Sequence, residues 1–261
     1  MLTWGERFFN IKCRTSGLAP DAAVIVATVR ALKVHSGRHR VVAGKALPPA
    51  LLEENPEEVH IGGANLRKQI ENIELHGVTP VVAINAFPGD FPSEHEAIRE
   101  IAASMGVQAA VCKHFAEGGK GAIELAEAVV EAADRPSEFH VLYPSTASLR
   151  EKIETVATKV YGADGVDYSP LAVRQLDNYE RNGFGDLPVC VAKTHLSISS
   201  DVSLKGAPTG WRLPVREVRA SVGAGFVYPI CGDMRTMPGL GSAPAAERID
   251  LDENGEIVGL S

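Results

Sequence analysis

The chain has 261 residues, 45% of them hydrophobic and 23% charged, with a formal net charge of -7. That length admits two domains of roughly 150 residues, and the acidic balance argues against a general binder of nucleic acid or membrane surfaces. No apolar run approaches the roughly 20 residues of a membrane span, and Met1 to Arg7 lacks a signal-peptide core, so a cytoplasmic protein is expected.

Phe8-Phe9-Asn10-Ile11-Lys12-Cys13-Arg14 reads like the middle of a domain, because two aromatics and a cysteine arrive with no lead-in element to cover them. Val24 to Val29 is an apolar, β-branched run suited to a central parallel strand. A basic segment follows it, from Arg30 to Gly37. Leu51 to Gly62 is acidic and punctuated by proline, which suggests a surface connection or a short irregular helix. Asn65 to His76 is amphipathic, with Leu66, Ile70 and Ile73 near one face and Gly77 as a helix stop.

Pro80 to Asn85 is a strand of the kind buried on both faces, and it ends abruptly in Phe87-Pro88-Gly89-Asp90. At the carboxyl end of a strand in an open α/β sheet, such a corner either lines a ligand crevice or plugs core beneath the next helix. Ser93, with Glu96 three residues on, suggests a capped helix carrying Ile98, Ile101, Ala102 and Met105. Val107 to Cys112 then reads as a strand. The corner Lys113 to Gly121 leads into a helix from Ala122 to Ala133. Phe139 to Tyr143 has the composition of a strand and Leu149 to Tyr161 that of a helix, so Gly77 to Gly162 reads as a compact parallel α/β unit.

Beyond Gly165 one helix, Ser169 to Arg181, precedes strands and turns: Val189 to Ala192, Val215 to Arg219 and Phe226 to Ile230. A hairpin around Asn254-Gly255 closes the tail. Cys13, Cys112, Cys190 and Cys231 are far apart and the eight histidines form no ligand-spaced cluster, so neither disulfides nor a metal site is expected.

Three further stretches bear on chemistry. Gly118-Gly119-Lys120-Gly121 opens a helix and either binds an anion through its N–H groups or is a tight turn. No G-x-x-x-x-G-K-[ST] phosphate loop occurs anywhere in the chain. Lys193 to Asp201 gathers Lys, His, Ser and Asp, yet no G-x-S-x-G frames a serine, which favours a locally hydrogen-bonded loop over a hydrolytic triad.

Taken together, these strings resemble those of the formate–tetrahydrofolate ligase family. The carriers are Phe8 to Arg14; Val26 to Lys33 with His35 and Gly37; Asn65-Leu66-Arg67-Lys68 and Ile70-Glu71-Asn72; Val82 to Pro88; Gly118 to Gly121; Val215 to Arg219; and Thr236-Met237-Pro238-Gly239-Leu240. The resemblance implies an ATP-dependent ligase that forms formyl phosphate and passes the formyl group to N10 of tetrahydrofolate. It implies that Phe87, Pro88 and Phe115 wall the pterin ring, and that Thr236, Met237, Pro238, Gly239 and Leu240 form part of the adenine pocket. Phe115 stands where the family usually carries Trp, Ser36 where it has Gly, and Gln69 where His is expected.

The resemblance covers about the C-terminal half of the family's length, so the chain is expected to be either a truncated ligase or one half of a split enzyme whose partner polypeptide bears the phosphate-gripping half and its Mg²⁺. The chain alone is then inactive as a ligase, with no catalytic or metal-ligating residue assigned to it. The alternative is a non-catalytic folate-binding or regulatory module of the same descent. A homo-oligomer is implied as well. The expected fold is α/β: a Rossmann-like parallel domain at 77–162, flanked by a remnant of a P-loop-type nucleotide domain at 1–76 and a smaller mixed α+β domain with the tail at 163–261.

Overall fold

The computed structural model describes residues 5–42, 45–232, 247, 249–253, 257 and 258. The aromatic opening is a helix. Helix α1 starts at Gly5–Arg7, widens into a π-helical turn over Phe8–Cys13, returns to α geometry over Arg14–Ser16 and stops at Gly17, whose φ of +73° suits glycine. Phe9 and Cys13, four residues apart, are buried together with Val78, while Phe8 stays open. The polar side of α1 reaches the later half of the chain. Asn10 Oδ1 accepts the Leu142 N–H (2.9 Å), and the Tyr161 hydroxyl donates to the Glu6 carboxylate (2.9 Å).

Strand β1 (Ala22–Ala27) lies two residues earlier than the expected Val24 to Val29, because Thr28 leaves the ladder to cap helix α2 (Val29–His35), its Oγ1 accepting the Ala31 N–H at 3.2 Å. The basic segment after the strand is therefore a helix. Helix α3 runs over Pro56–Glu74, starting nine residues before the expected Asn65. Its start carries ordinary signals that proline and acidity disguised as a linker. Asn55 caps the Glu58 N–H (3.0 Å), Pro56 takes the first turn, and Glu57 and Glu58 face the positive helix end. Helices α2 and α3 nearly touch at Gly62, where a Cβ would lie 1.8 Å from the Leu32 carbonyl oxygen.

Strand β2 (Thr79–Asn85) is central in a parallel sheet of order β1-β2-β3, with β3 at Gln108–Cys112 and registers such as Val24 opposite Val81 and Ala83 opposite Ala110. Helix α4 (Pro92–Ala103) links β2 to β3, and α5 (Ile123–Ala133) follows β3. Leu32, Leu66, Ile70, Val82, Ile84, Ile98 and Ile101 form one core with Ile25 and Ala27 of β1. The expected boundary between residues 76 and 77 thus runs through one sheet, because β1, the α2 and α3 crossover and β2 are a single β-α-β unit. Phe139 to Tyr143 is not a strand. The Glu138 and His140 N–H groups bond the carbonyls of Gly77 and His76, a turn rather than a sheet edge.

Helix α6 (Leu149–Thr155) opens on a reciprocal box between Ser148 and Glu151 and continues as a π-helical turn over Val156–Val160. Strand β4 (Val166–Tyr168) runs parallel to β5 (Leu213–Ser221), which pairs antiparallel with β6 (Phe226–Cys231); α7 (Pro170–Arg181), capped by Ser169, packs against them. Val189 to Ala192 makes two isolated bridges to β6 instead of a full strand. Leu149, Ile153, Tyr161, Leu176, Val191 and Leu213 belong to this second core. The tail pairs β7 (Asp250–Leu251) with β8 (Ile257–Val258), and the expected turn at Asn254-Gly255 lies outside the described residues. The architecture is α/β, a parallel three-stranded sheet beside a mixed one. Among the described residues no helix is long and apolar enough to cross a membrane.

Candidate functional site

The carboxyl ends of β2 and β3 open onto a cleft of about 810 Å³ whose lining includes Phe87, Pro88, Asp90, Lys113, Phe115 and Lys120. In a parallel sheet the crevice beyond these strand ends is where ligands sit. It is larger than two other clefts, of about 370 and 710 Å³, that lie at the opposite end of the sheet and along β1. The three residues expected to wall a flat ring therefore share one cavity.

The Phe-Pro corner is a rigid turn. The Asp90 N–H donates to the Phe87 carbonyl (3.1 Å), Pro88 fixes the second position, and Gly89 takes φ +95° at the third, the pattern of a type II turn. Asp90 closes it from the other side, its carboxylate accepting the Phe87 N–H at 2.9 Å and lying 3.3 Å from His95 Nε2. The Phe87 ring is 40% exposed and joins none of the hydrophobic cores. The Arg30 guanidinium lies 4.9 Å from its centroid and is not part of the cleft lining. Arg30 thus packs on this ring while leaving the cavity free.

Behind the turn sits a buried carboxylate. Glu94 accepts the Lys33 ammonium (2.8 Å), the Asn55 N–H (3.0 Å) and the Phe91 N–H (3.1 Å). Lys33 and Glu94 are both almost fully buried. An ion pair out of water in this way holds only when its remaining valences are filled, and here the Asn55 and Phe91 N–H groups on Glu94 and the Glu53 carbonyl, which accepts from Lys33, fill them. Sequence reading passed over Asp90, Arg30 and the Lys33–Glu94 pair. The Pro-Gly-Asp spacing of the turn was the one local signal, pointing to Asp90; the others depend on contacts 57 and 61 residues apart.

The second corner is held as tightly. The Lys113 N–H donates to the Gly121 carbonyl (2.8 Å), and a Cβ at Gly121 would fall 2.7 Å from the Lys113 backbone. Only glycine closes this loop, which reads best as the tight turn carrying the short helix His114–Glu117. Phe115 projects from that helix with 92% of its surface exposed. Around the rim Arg99 pairs with Glu124 (3.1 Å), whereas Lys113 and Lys120 have no side-chain partner among the described residues. The cavity therefore combines two aromatic faces and a proline wall with charges of both signs, Lys113 and Lys120 together with Glu96, Glu117 and Glu124.

Thr236, Met237, Pro238, Gly239 and Leu240 lie outside the described residues. The Lys193 to Asp201 loop is satisfied internally. Lys193 Nζ donates to the Ser197 carbonyl (2.6 Å), burial pushes its pKa down to about 8, and the Ser197 and Ser199 hydroxyls meet at 2.9 Å. No hydrogen bond joins His195 to a serine among the described residues, so no triad forms. Among the described residues no group of three His, Cys, Asp or Glu could hold a metal ion.

Residues 3–261 match the family model of formate–tetrahydrofolate ligase. The chain is 71% identical over 256 residues to a formate–tetrahydrofolate ligase of Saccharopolyspora erythraea, covering 98% of this chain and 45% of the relative. It is 64% identical to formate–tetrahydrofolate ligase 3 of Rubrobacter xylanophilus (98% and 46%) and 61% identical to the Cutibacterium acnes ligase (98% and 45%). The chain thus spans less than half the length of these curated relatives.

Proposed function

The chain belongs to the formate–tetrahydrofolate ligase family, and from that premise we propose that it supplies the tetrahydrofolate site of an ATP-dependent ligase making formyltetrahydrofolate. The observation that carries this reading is the shared cavity of Phe87, Pro88 and Phe115 at the strand ends. A pterin is flat, apolar on its faces and polar at its edges, so two exposed aromatic rings and a proline wall suit its faces. Lys113 and Lys120 at the rim suit the glutamate carboxylates at the other end of the molecule.

In the reaction, formate attacks the γ-phosphorus of ATP, releasing ADP and giving formyl phosphate. The N10 amine of tetrahydrofolate then attacks the formyl carbon, phosphate leaves, and N10 loses its proton. This chain's contribution is to hold and orient the acceptor and to exclude water from its faces. Phosphoryl transfer also demands a cradle of N–H groups, a cation on the moving phosphate and a held Mg²⁺. None of the 261 residues forms a Walker-type loop, so we assign phosphate and Mg²⁺ handling to polypeptide that the relatives carry beyond the matched part. Residues 236–240 are assigned to the adenine pocket on resemblance.

Anaerobic calorimetric titration of the purified chain with tetrahydrofolate tests the reading, alongside an assay for formyltetrahydrofolate with ATP and formate. Binding without turnover is expected. Failure to bind tetrahydrofolate overturns the acceptor site, and ATP- and formate-dependent product from this chain alone overturns the division of labour. Binding with no turnover even beside the rest of a relative would favour a folate-binding module instead.

A further inference from the structure

The turn from Phe87 to Asp90 fixes the backbone of Phe87 more firmly than its ring. The Phe87 N–H and carbonyl are both held by Asp90, yet the ring joins none of the hydrophobic cores. An aromatic side chain without a core around it keeps rotamer freedom, and a ligand that stacks on it loses affinity in stopping that motion. One contact restrains the ring beforehand. The Arg30 guanidinium lies over it, 4.9 Å from the centroid, and among the described residues no other ring or cation stacks there. A planar ring has two faces. Phe87 lines the cleft and Arg30 does not, so the cation covers one face and the cleft keeps the other.

The position of Arg30 has no other explanation in its own helix. It is the second residue of α2, in the first turn, where the positive helix end disfavours a cation. Lys33 and His35 stand in the last turn, where the helix favours them. The Arg30 guanidinium makes no ion pair or hydrogen bond among the described residues. Sheet register brings it to the ring. Ala27 is level with Ile84 in the parallel ladder, and Arg30 and Phe87 each lie three residues beyond, at the carboxyl ends of neighbouring strands.

We propose that Arg30 is a positioning residue for the acceptor: it holds the Phe87 ring by one face so that the other stands ready for a flat heterocycle. The proposal rests on the acceptor-site reading of the cleft. Because the guanidinium stays outside the cavity, its effect passes through Phe87. A direct ion pair between Arg30 and an anionic part of the ligand would act whether or not the ring is there.

Anaerobic titration of a double-mutant cycle with tetrahydrofolate separates the two. Arg30→Met, similar in length but uncharged, should weaken binding by about three- to tenfold. In a Phe87→Leu chain, which keeps apolar cover without a π face, the same change should alter affinity by less than about twofold. Arg135→Met removes an equal charge at the opposite end of the sheet and should leave affinity within about twofold. Arg30→Gln serves as a second neutral variant, and circular dichroism establishes that each chain is folded. Fluorine NMR of the chain carrying para-fluorophenylalanine at position 87 reads the ring before any ligand is added, and Arg30→Met should shift its resonance. An equal loss with and without the Phe87 ring gives Arg30 to the ligand directly and overturns the proposal. So does an affinity indifferent to Arg30→Met, or a fluorine resonance that does not move. An unaltered chain that fails to bind tetrahydrofolate overturns the acceptor site itself, whereas binding with an additive cycle refutes only the role of Arg30.

Discussion

Replacing Phe87 by alanine separates the acceptor-site reading from a packing role. The residue keeps 40% of its surface open; for a side chain presenting about 200 Å² that leaves about 80 Å² to be covered by a stacked ring, worth about 2 kcal/mol at about 25 cal/mol per Å². The expected loss in tetrahydrofolate affinity is about thirtyfold. The fold should survive, since Phe87 joins none of the hydrophobic cores; the covered part of its surface, about 120 Å² that includes the contact with Arg30, bounds the loss at about 3 kcal/mol at about 25 cal/mol per Å². Isothermal titration under anaerobic conditions measures the first quantity, and urea unfolding the second. Affinity unchanged within about threefold, together with a stability loss above about 3 kcal/mol, would make Phe87 a core residue and refute the stacking argument.

Phe115→Trp should tighten tetrahydrofolate binding by about fivefold, because an indole offers a larger stacking face at a position already 92% exposed; titration of the variant checks this, and weaker binding would place Phe115 outside the contact. Glu94→Gln leaves the Lys33 charge buried without its counter-ion, so urea unfolding should report a loss of about 3–5 kcal/mol, with much of it recovered in Lys33→Met/Glu94→Leu; a loss below about 1 kcal/mol would contradict the buried-pair description. His76 is fully buried between Phe9 and Phe139, donates from Nδ1 to the His140 carbonyl (3.0 Å), and has its pKa pushed down to about 4 by that burial. The unfolded chain takes up this proton near pH 6.5 and the folded one only near 4, so stability is complete above 6.5 and falls as pH drops through that window, by up to about 3 kcal/mol. His76→Phe should flatten that acid limb in pH-dependent unfolding, leaving the part due to His35, also pushed down to about 4; superimposable curves would refute the assignment.

Elements whose signals are local could be read in advance. The apolar run ending at Asn85 is β2, Ser169 with the pattern behind it is α7, and the reciprocal Ser148–Glu151 box opens α6. Where one residue serves two elements the pattern misled. Thr28 sits inside an unbroken β-branched run, and only its cap on Ala31 ends the strand. Pro56 among glutamates resembles a linker until Asn55 is seen to cap it. Phe139 to Tyr143 has strand composition, but its backbone groups meet a turn, and no periodicity encodes the partner. The cleft divides in the same way. Phe87, Pro88 and Phe115 sit at strand ends, a place that chain order reveals. Arg30, Lys33 and Glu94 converge only through packing between segments far apart in sequence.

Helix α2 touches the acceptor corner twice. Arg30 reaches the tip at Phe87 and Lys33, one helical turn later, reaches the root at Glu94. Three residues on a helix span a fixed length, about 4.5 Å along the axis, whereas the seven residues from Phe87 to Glu94 form a turn and a helix start. The reach of that loop is therefore measured off against a ruler that belongs to another element. Loops ordinarily accept an inserted residue at small cost. This one should not, because any added residue leaves either the tip or the root unmoored, and the width of the cavity would then vary with the motion of the loop.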